Sequence, residues 1–259
     1  MSGANLVPAE LRERRERVFL VLAGIFLCAM TLLNVIGITR FIQLGPMALA
    51  VGVLPYPITF LCTDLICEIY GRRRANFLVT VGLFLNGFIL LCLWLGQLLP
   101  PAATQPPWQV IELAGELALP SGDVVTGQIE LFKLIYATTT GAVFASMMAY
   151  LAAQYCDVQL FHFWKRLTKG KHLWLRNNFS TLISQLVDAT MVISVTFGAT
   201  YLAGGITLNE MFVLIGSNYL FKMTVALIDT GPFYLGTYWL RRYLKIEHPQ
   251  TVGEEAYAG

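Results

Sequence analysis

Three stretches of the chain run without a charge for longer than a bilayer is thick: Val18–Ile38, Ala75–Leu99 and Leu134–Cys156. A helix rises about 1.5 Å per residue, so about 20 apolar residues cross roughly 30 Å of hydrocarbon. Three further apolar runs carry isolated polar residues: Pro46–Ile69, Phe179–Leu202 and Met211–Leu240. Together they predict six membrane-spanning helices. The second is expected to be kinked or broken, because Pro55 and Pro57 remove two backbone donors and bias the residue before each away from the helix. Residues 100–132 form the one long polar segment, opened by Pro100, Pro101, Pro106 and Pro107. Within it Trp108–Leu119 is expected to form a short amphipathic helix at the interface.

Composition agrees with this pattern. Of 259 residues 56% are hydrophobic and 13% charged, against about 25% charged in an ordinary soluble domain, and the mean hydropathy is +0.61. The first run is too long for a signal-peptide core and is read as an uncleaved span. The basic residues fall in short clusters between spans, so no nucleic-acid surface is expected. Fifteen of the eighteen Lys and Arg lie in residues 1–17, 70–75, 157–178 and 241–245; Arg40 and Lys133 fall on the opposite side and Lys222 lies inside a span. The positive-inside rule then places both termini in the cytoplasm and residues 100–132 in the periplasm. The expected organisation is a basic cytoplasmic segment at 1–17, a six-helix membrane domain at 18–242 and a polar, disordered tail at 243–259. Cys28, Cys62, Cys67, Cys92 and Cys156 lie in apolar runs without paired spacing and read as small buried hydrophobes. His162, His172 and His248 lack ligand spacing, so neither a metal nor any other cofactor is expected.

Within the spans stand polar residues that hydrocarbon penalises. Asp64 and Glu68 lie one helical turn apart on a shared face, in the run Pro57–Arg74. Such a face turns toward a cavity or a partner, not toward lipid. Counting from the flanking arginines, Asp188 and Asp229 each lie roughly 18 Å in, and Asp64 roughly 12 Å in. Lys222 is two turns from Asp229 on the same face. An ion pair with one aspartate accounts for Lys222 without any function, and pairing with Arg72–Arg74 accounts for Glu68 but not for the deeper Asp64. Ser184, Gln185, Asn34 and Asn218 fit interhelical hydrogen bonding as well as ligand binding. Gln154 and Asp157, near a cytoplasmic end, fit plain solvation. Phe60, Tyr70, Tyr219 and Phe233 fit packing as well as a platform for a flat ligand.

The pattern Pro57-x-x-Phe60-x-x-x-Asp64-x-x-x-Glu68-x-Tyr70-Gly71 resembles the signature of the queuosine precursor transporters, also grouped as the vitamin uptake transporter family. The likeness continues through Leu173-Trp-Leu-Arg-Asn-Asn178 and Ser180 to Asp188, and resumes from Lys222 to Asp229-Thr230. It covers roughly residues 20–240. The resemblance implies a bacterial inner-membrane importer of 7-deazaguanine bases, such as 7-cyano- or 7-aminomethyl-7-deazaguanine, with queuine as a further candidate, for tRNA queuosine synthesis. It also implies a six-helix fold similar to the substrate-binding subunits of energy-coupling-factor transporters, with a small planar base and the lipid bilayer as partners; a homodimer is the oligomer this reading allows. Such a base presents two adjacent N–H donors and a carbonyl acceptor, which a carboxylate and an amide side chain can serve. The expected substrate-binding residues are Asp64, Glu68, Gln185, Lys222, Asp188 and Asp229, with Phe60 or Tyr70 stacking.

Two other functions compete. A binding subunit driven by an ATP-hydrolysing partner commonly carries an Ala-x-x-x-Ala seam on its first helix. Here Ala23 is followed four residues later by Leu27, and Ala29 by Leu33. An intramembrane aspartyl protease using Asp188 and Asp229 would resemble Tyr-Asp and Gly-x-Gly-Asp motifs, but the chain has Val187-Asp188 and Ile228-Asp229. A non-enzymatic transporter is the expectation.

Overall fold

The structure is a computed structural model describing residues 9–37, 39–45, 47–102, 105–119, 123–167 and 173–246. The side chains of Gln154, Asp157, His162 and 173–181 lie outside this description, as do His172 and His248, so the readings made on them do too. Six helical segments are long and apolar enough to cross a membrane, built on α1 (Ala9–Val35), α2 (Tyr56–Tyr70, which qualifies together with the turn before it as Val51–Tyr70), α3 (Arg72–Leu98), α4 (Leu131–Leu167), α5 (Leu173–Leu202) and α6 (Leu208–Tyr243). Each contains the core of its expected span.

The second run is broken in a way the prolines explain only in part. Its first portion is the strand β2 (Met47–Ala50), paired antiparallel with β1 (Phe41–Leu44) just before the run and followed by a 3-10 turn at Val51–Val53. The N–H groups of Val51 and Gly52 donate to the carbonyls of Arg40 and Gly37, so the interruption leaves these donors satisfied. Helix α2 then starts at Tyr56 with Pro57 in its first turn, where a missing N–H costs nothing because no intrahelical acceptor awaits it. It ends at Gly71, whose φ of +84° is open to glycine and strained for other residues, and whose N–H donates to the Cys67 carbonyl at 3.0 Å.

The expected interfacial helix at Trp108–Leu119 does not form. After a 3-10 turn at Pro107–Gln109 come β3 (Val110–Glu112) and β4 (Leu117–Ala118). These pair with β6 (Gln128–Glu130) and β5 (Val124–Val125) to make two short antiparallel ladders. The β-branched Val110 and Ile111 favour extended backbone, and Gly115 interrupts any helical register. Spacing alone resembled an amphipathic helix; pairing with a distant segment decided otherwise.

The chain divides into two compact units. One comprises residues 1–33, 54–85 and 224–259, and its core joins Phe26 of α1, Ile66 and Tyr70 of α2, Leu78 of α3 and Leu244 beyond α6. Tyr70 is 1% exposed; its hydroxyl donates to the Arg15 carbonyl at 2.8 Å and its ring meets Phe19 edge-on. The other unit comprises residues 34–53 and 86–223. There α4 packs along α5, Ile193 and Phe197 of α5 meet Met211 of α6, and the first hairpin is held by Phe41 against Phe197 and by the Ser217 hydroxyl on the Ala48 amide.

Solvation is reversed relative to a water-soluble protein. Leu20, Phe84, Leu202, Leu227 and Ile228 are exposed, while Asn34, Asn86, Thr139, Ser184 and Lys222 are buried. Apolar side chains that face outward need hydrocarbon as solvent, and polar ones turned inward find partners there. Asn34 donates to Asn86 at 3.0 Å, which makes it the interhelical contact its sequence position suggested. Of the cysteines, Cys62 is buried as expected, but Cys28 and Cys92 stand on the outer faces of α1 and α3. A thiol is apolar enough to face lipid, so an apolar run does not by itself imply burial.

Candidate functional site

Ion pairing sorts the intramembrane charges. In the second unit Lys222 of α6, with a side chain 8% exposed, pairs with Asp188 of α5, at 17%. Both charges are withdrawn from solvent, so each neutralises the other. Gln185 lies on α5 three residues before Asp188 and is half-buried, beside the buried Ser184. Asn218, one turn before Lys222, keeps its Oδ1 buried without a hydrogen-bond partner.

In the first unit Glu68 of α2 pairs with Arg241 of α6. Of the expected partners Arg72–Arg74, Arg74 reaches Glu16 of α1 at 2.9 Å instead, with its guanidinium over the Phe19 and Tyr70 rings, while the side chain of Arg72 lies outside the described residues. Helix contact explains the exchange. Gly236 lets α6 approach α2 so closely that a Cβ there would meet Leu65 at 3.2 Å, and this approach brings Arg241 within reach of Glu68. Arg241 entered the sequence reading only as a marker of orientation. The overlooked signal was a basic helix end placed to answer an acid on another span.

Two acids remain. Asp64 of α2 stands exposed on the face it shares with Glu68 and feels the charge of Asp229 on α6. Asp229 keeps Oδ2 buried without a hydrogen-bond partner. Neither has a cationic partner among the described residues. Pro232, three residues beyond Asp229, lacks the N–H that would serve the Ile228 carbonyl, so a backbone acceptor is freed next to the acid. Phe60, one turn before Asp64, is half-buried with its ring edge-on to Tyr56 at 4.5 Å. The structure therefore groups Asp64, Glu68 and Asp229 through α2 and α6, and groups Asp188 with Lys222 through α5 and α6. Tyr70 it places in the packed core.

Chemically, carboxylates without a counter-ion are hydrogen-bond acceptors that a donor-rich ligand, a proton or a cation can satisfy. Among the described residues no group of three or more His, Cys, Asp and Glu is arranged to hold a metal ion.

Comparison with known proteins agrees with a transport role. The "Probable queuosine precursor transporter" of Bacillus subtilis (strain 168) is 27% identical over 193 residues, covering 74% of this chain and 73% of that protein. No solved structure matches the chain. The profile of the family described as "Putative vitamin uptake transporter" matches residues 50–236, which takes in α2 to α6, with Asp64, Glu68, Gln185, Asp188, Lys222 and Asp229 among them. With well over half of its length matched, this six-helix membrane protein belongs to the vitamin uptake transporter family, a family of transporters and not of enzymes.

Proposed function

We propose that the protein imports a queuosine precursor, a 7-deazaguanine base such as 7-cyano- or 7-aminomethyl-7-deazaguanine, across a bacterial inner membrane. Both termini lie in the cytoplasm, and the fold is akin to that of energy-coupling-factor substrate-binding subunits. One observation carries the reading: of the four intramembrane acids, Glu68 and Asp188 are matched by Arg241 and Lys222, while Asp64 and Asp229, on α2 and α6 of the same unit, have no cationic partner among the described residues. The base offers N–H donors on one edge, and these carboxylates accept them. Phe60, on the face of α2 that carries Asp64, provides the ring on which the flat base stacks. Gln185 and Asp188 on α5 are further candidate polar contacts, and Glu68 and Lys222 carry charges that are each balanced within their own unit. The family assignment and the Bacillus subtilis relative's name support the substrate class.

The test is uptake of labelled 7-cyano-7-deazaguanine by vesicles containing the purified protein. Asp64→Asn and Asp229→Asn, each removing an acceptor charge without changing shape, are expected to lower uptake at least tenfold while the protein remains folded by gel filtration. Wild-type uptake in both variants refutes the assignment. Collapsing the proton gradient separates proton coupling from facilitated diffusion.

A further inference from the structure

A further polar cleft lies in the second unit, where α3 ends and α4 begins. Here Gln97 of α3, Gln105 and Gln109 of the following segment, Glu130 at the end of β6 and Phe132 in the first turn of α4 line an open cleft of about 390 Å³. That volume falls within the range of small-molecule sites. The extended ladder of β3 with β6, which replaced the expected helix, is what brings Gln109 and Glu130 together: Val110 pairs with Glu130 directly. Gln105 donates to one Glu130 oxygen at 3.2 Å. A carboxylate offers about four lone-pair sites, so most of its accepting capacity is unspent. Glu130 has no cationic partner among the described residues. Phe132 leans on α3 where Gly96 leaves room: a Cβ at Gly96 would stand 2.6 Å from the ring. Phe132 is 40% exposed.

We propose that this cleft is an outer capture site for the same planar base. The inference rests on the transport reading above and extends it to a segment that carries none of the motifs quoted for the family. A carboxylate accepts two adjacent N–H donors, glutamine amides accept or donate at the remaining edge, and an aromatic face covers one side of the ring. This set matches a purine-like heterocycle better than a metal ion, which would leave the ring and the amide donors unused. Helix α3 spans 27 residues, about 40 Å, from Arg72–Arg74 to this cleft, so the site lies at the end of α3 remote from its basic cluster. With the basic clusters cytoplasmic, the cleft faces the side from which an imported base arrives.

Kinetics of uptake into vesicles, as a function of external 7-cyano-7-deazaguanine, test the proposal. Glu130→Gln keeps shape and the contact to Gln105 but removes the charge, and Phe132→Ala removes the ring. Each is expected to raise KM about threefold to tenfold with Vmax unchanged, as loss of one charge-assisted hydrogen bond or one stacking face requires. KM within twofold of wild type in both variants overturns the capture site and leaves the transport reading standing. A fall in Vmax at constant KM overturns it as well, because it signals a structural role. Absence of uptake by the wild-type protein removes the transport reading and, with it, this one.

Discussion

The Asp188–Lys222 pair makes a quantitative test of how this bundle tolerates charge. Lys222→Met removes the ammonium and leaves the Asp188 carboxylate, 17% exposed, without its partner on α6. Breaking a buried pair from one side costs about 3–5 kcal/mol, because the surviving charge keeps its desolvation penalty and loses its compensation. At about 2–4 °C per kcal/mol for a chain of this size, the apparent Tm falls by roughly 6–20 °C. Asp188→Leu is expected to behave alike from the other side. The double variant, with apolar groups in both places, recovers most of the loss, since replacing both members of a buried pair by apolar residues is near neutral. The assay is thermal unfolding of detergent-purified protein without substrate, so that uptake does not enter. A double variant as unstable as the two single losses added together refutes the pairing energetics, because additivity means that the two charges do not interact.

The Glu68–Arg241 pair is a contrasting case. Both side chains are more than a third exposed, at 35% and 37%, so the pair is worth about 0–1 kcal/mol and Arg241→Met lowers the apparent Tm by less than about 4 °C. Gly236→Leu drives a side chain into Leu65 across the α2–α6 contact; overpacking of this kind costs about 1–3 kcal/mol, read in the same melt.

Much of the membrane architecture was legible in the chain, because bilayer thickness imposes a length on every span and backbone donors must be satisfied within the helix. The six helices follow from that constraint, and so does the break at Pro55 and Pro57. The nomination of Asp64, Glu68, Asp188, Lys222 and Asp229 needed only the cost of charge in hydrocarbon. Where partners came from other parts of the chain, spacing failed. The Pro46 run conceals a hairpin, and residues 108–119 read as a helix although Val110–Glu112 pair with Gln128–Glu130. Glu68 looked to the arginines next to it in sequence, yet Arg241, 173 positions away, is the one that reaches it.

By itself the sequence determined that this is a six-span membrane protein and which side chains are too polar to face lipid, since both depend on local composition and on distance along a helix. The tertiary structure alone decided which acid has a cation. Helix approach through Gly236 brings Arg241 to Glu68, and α5 beside α6 brings Asp188 to Lys222. Asp64 and Asp229 are left without a cation among the described residues, because charge compensation depends on distances through space, which no spacing along the chain encodes.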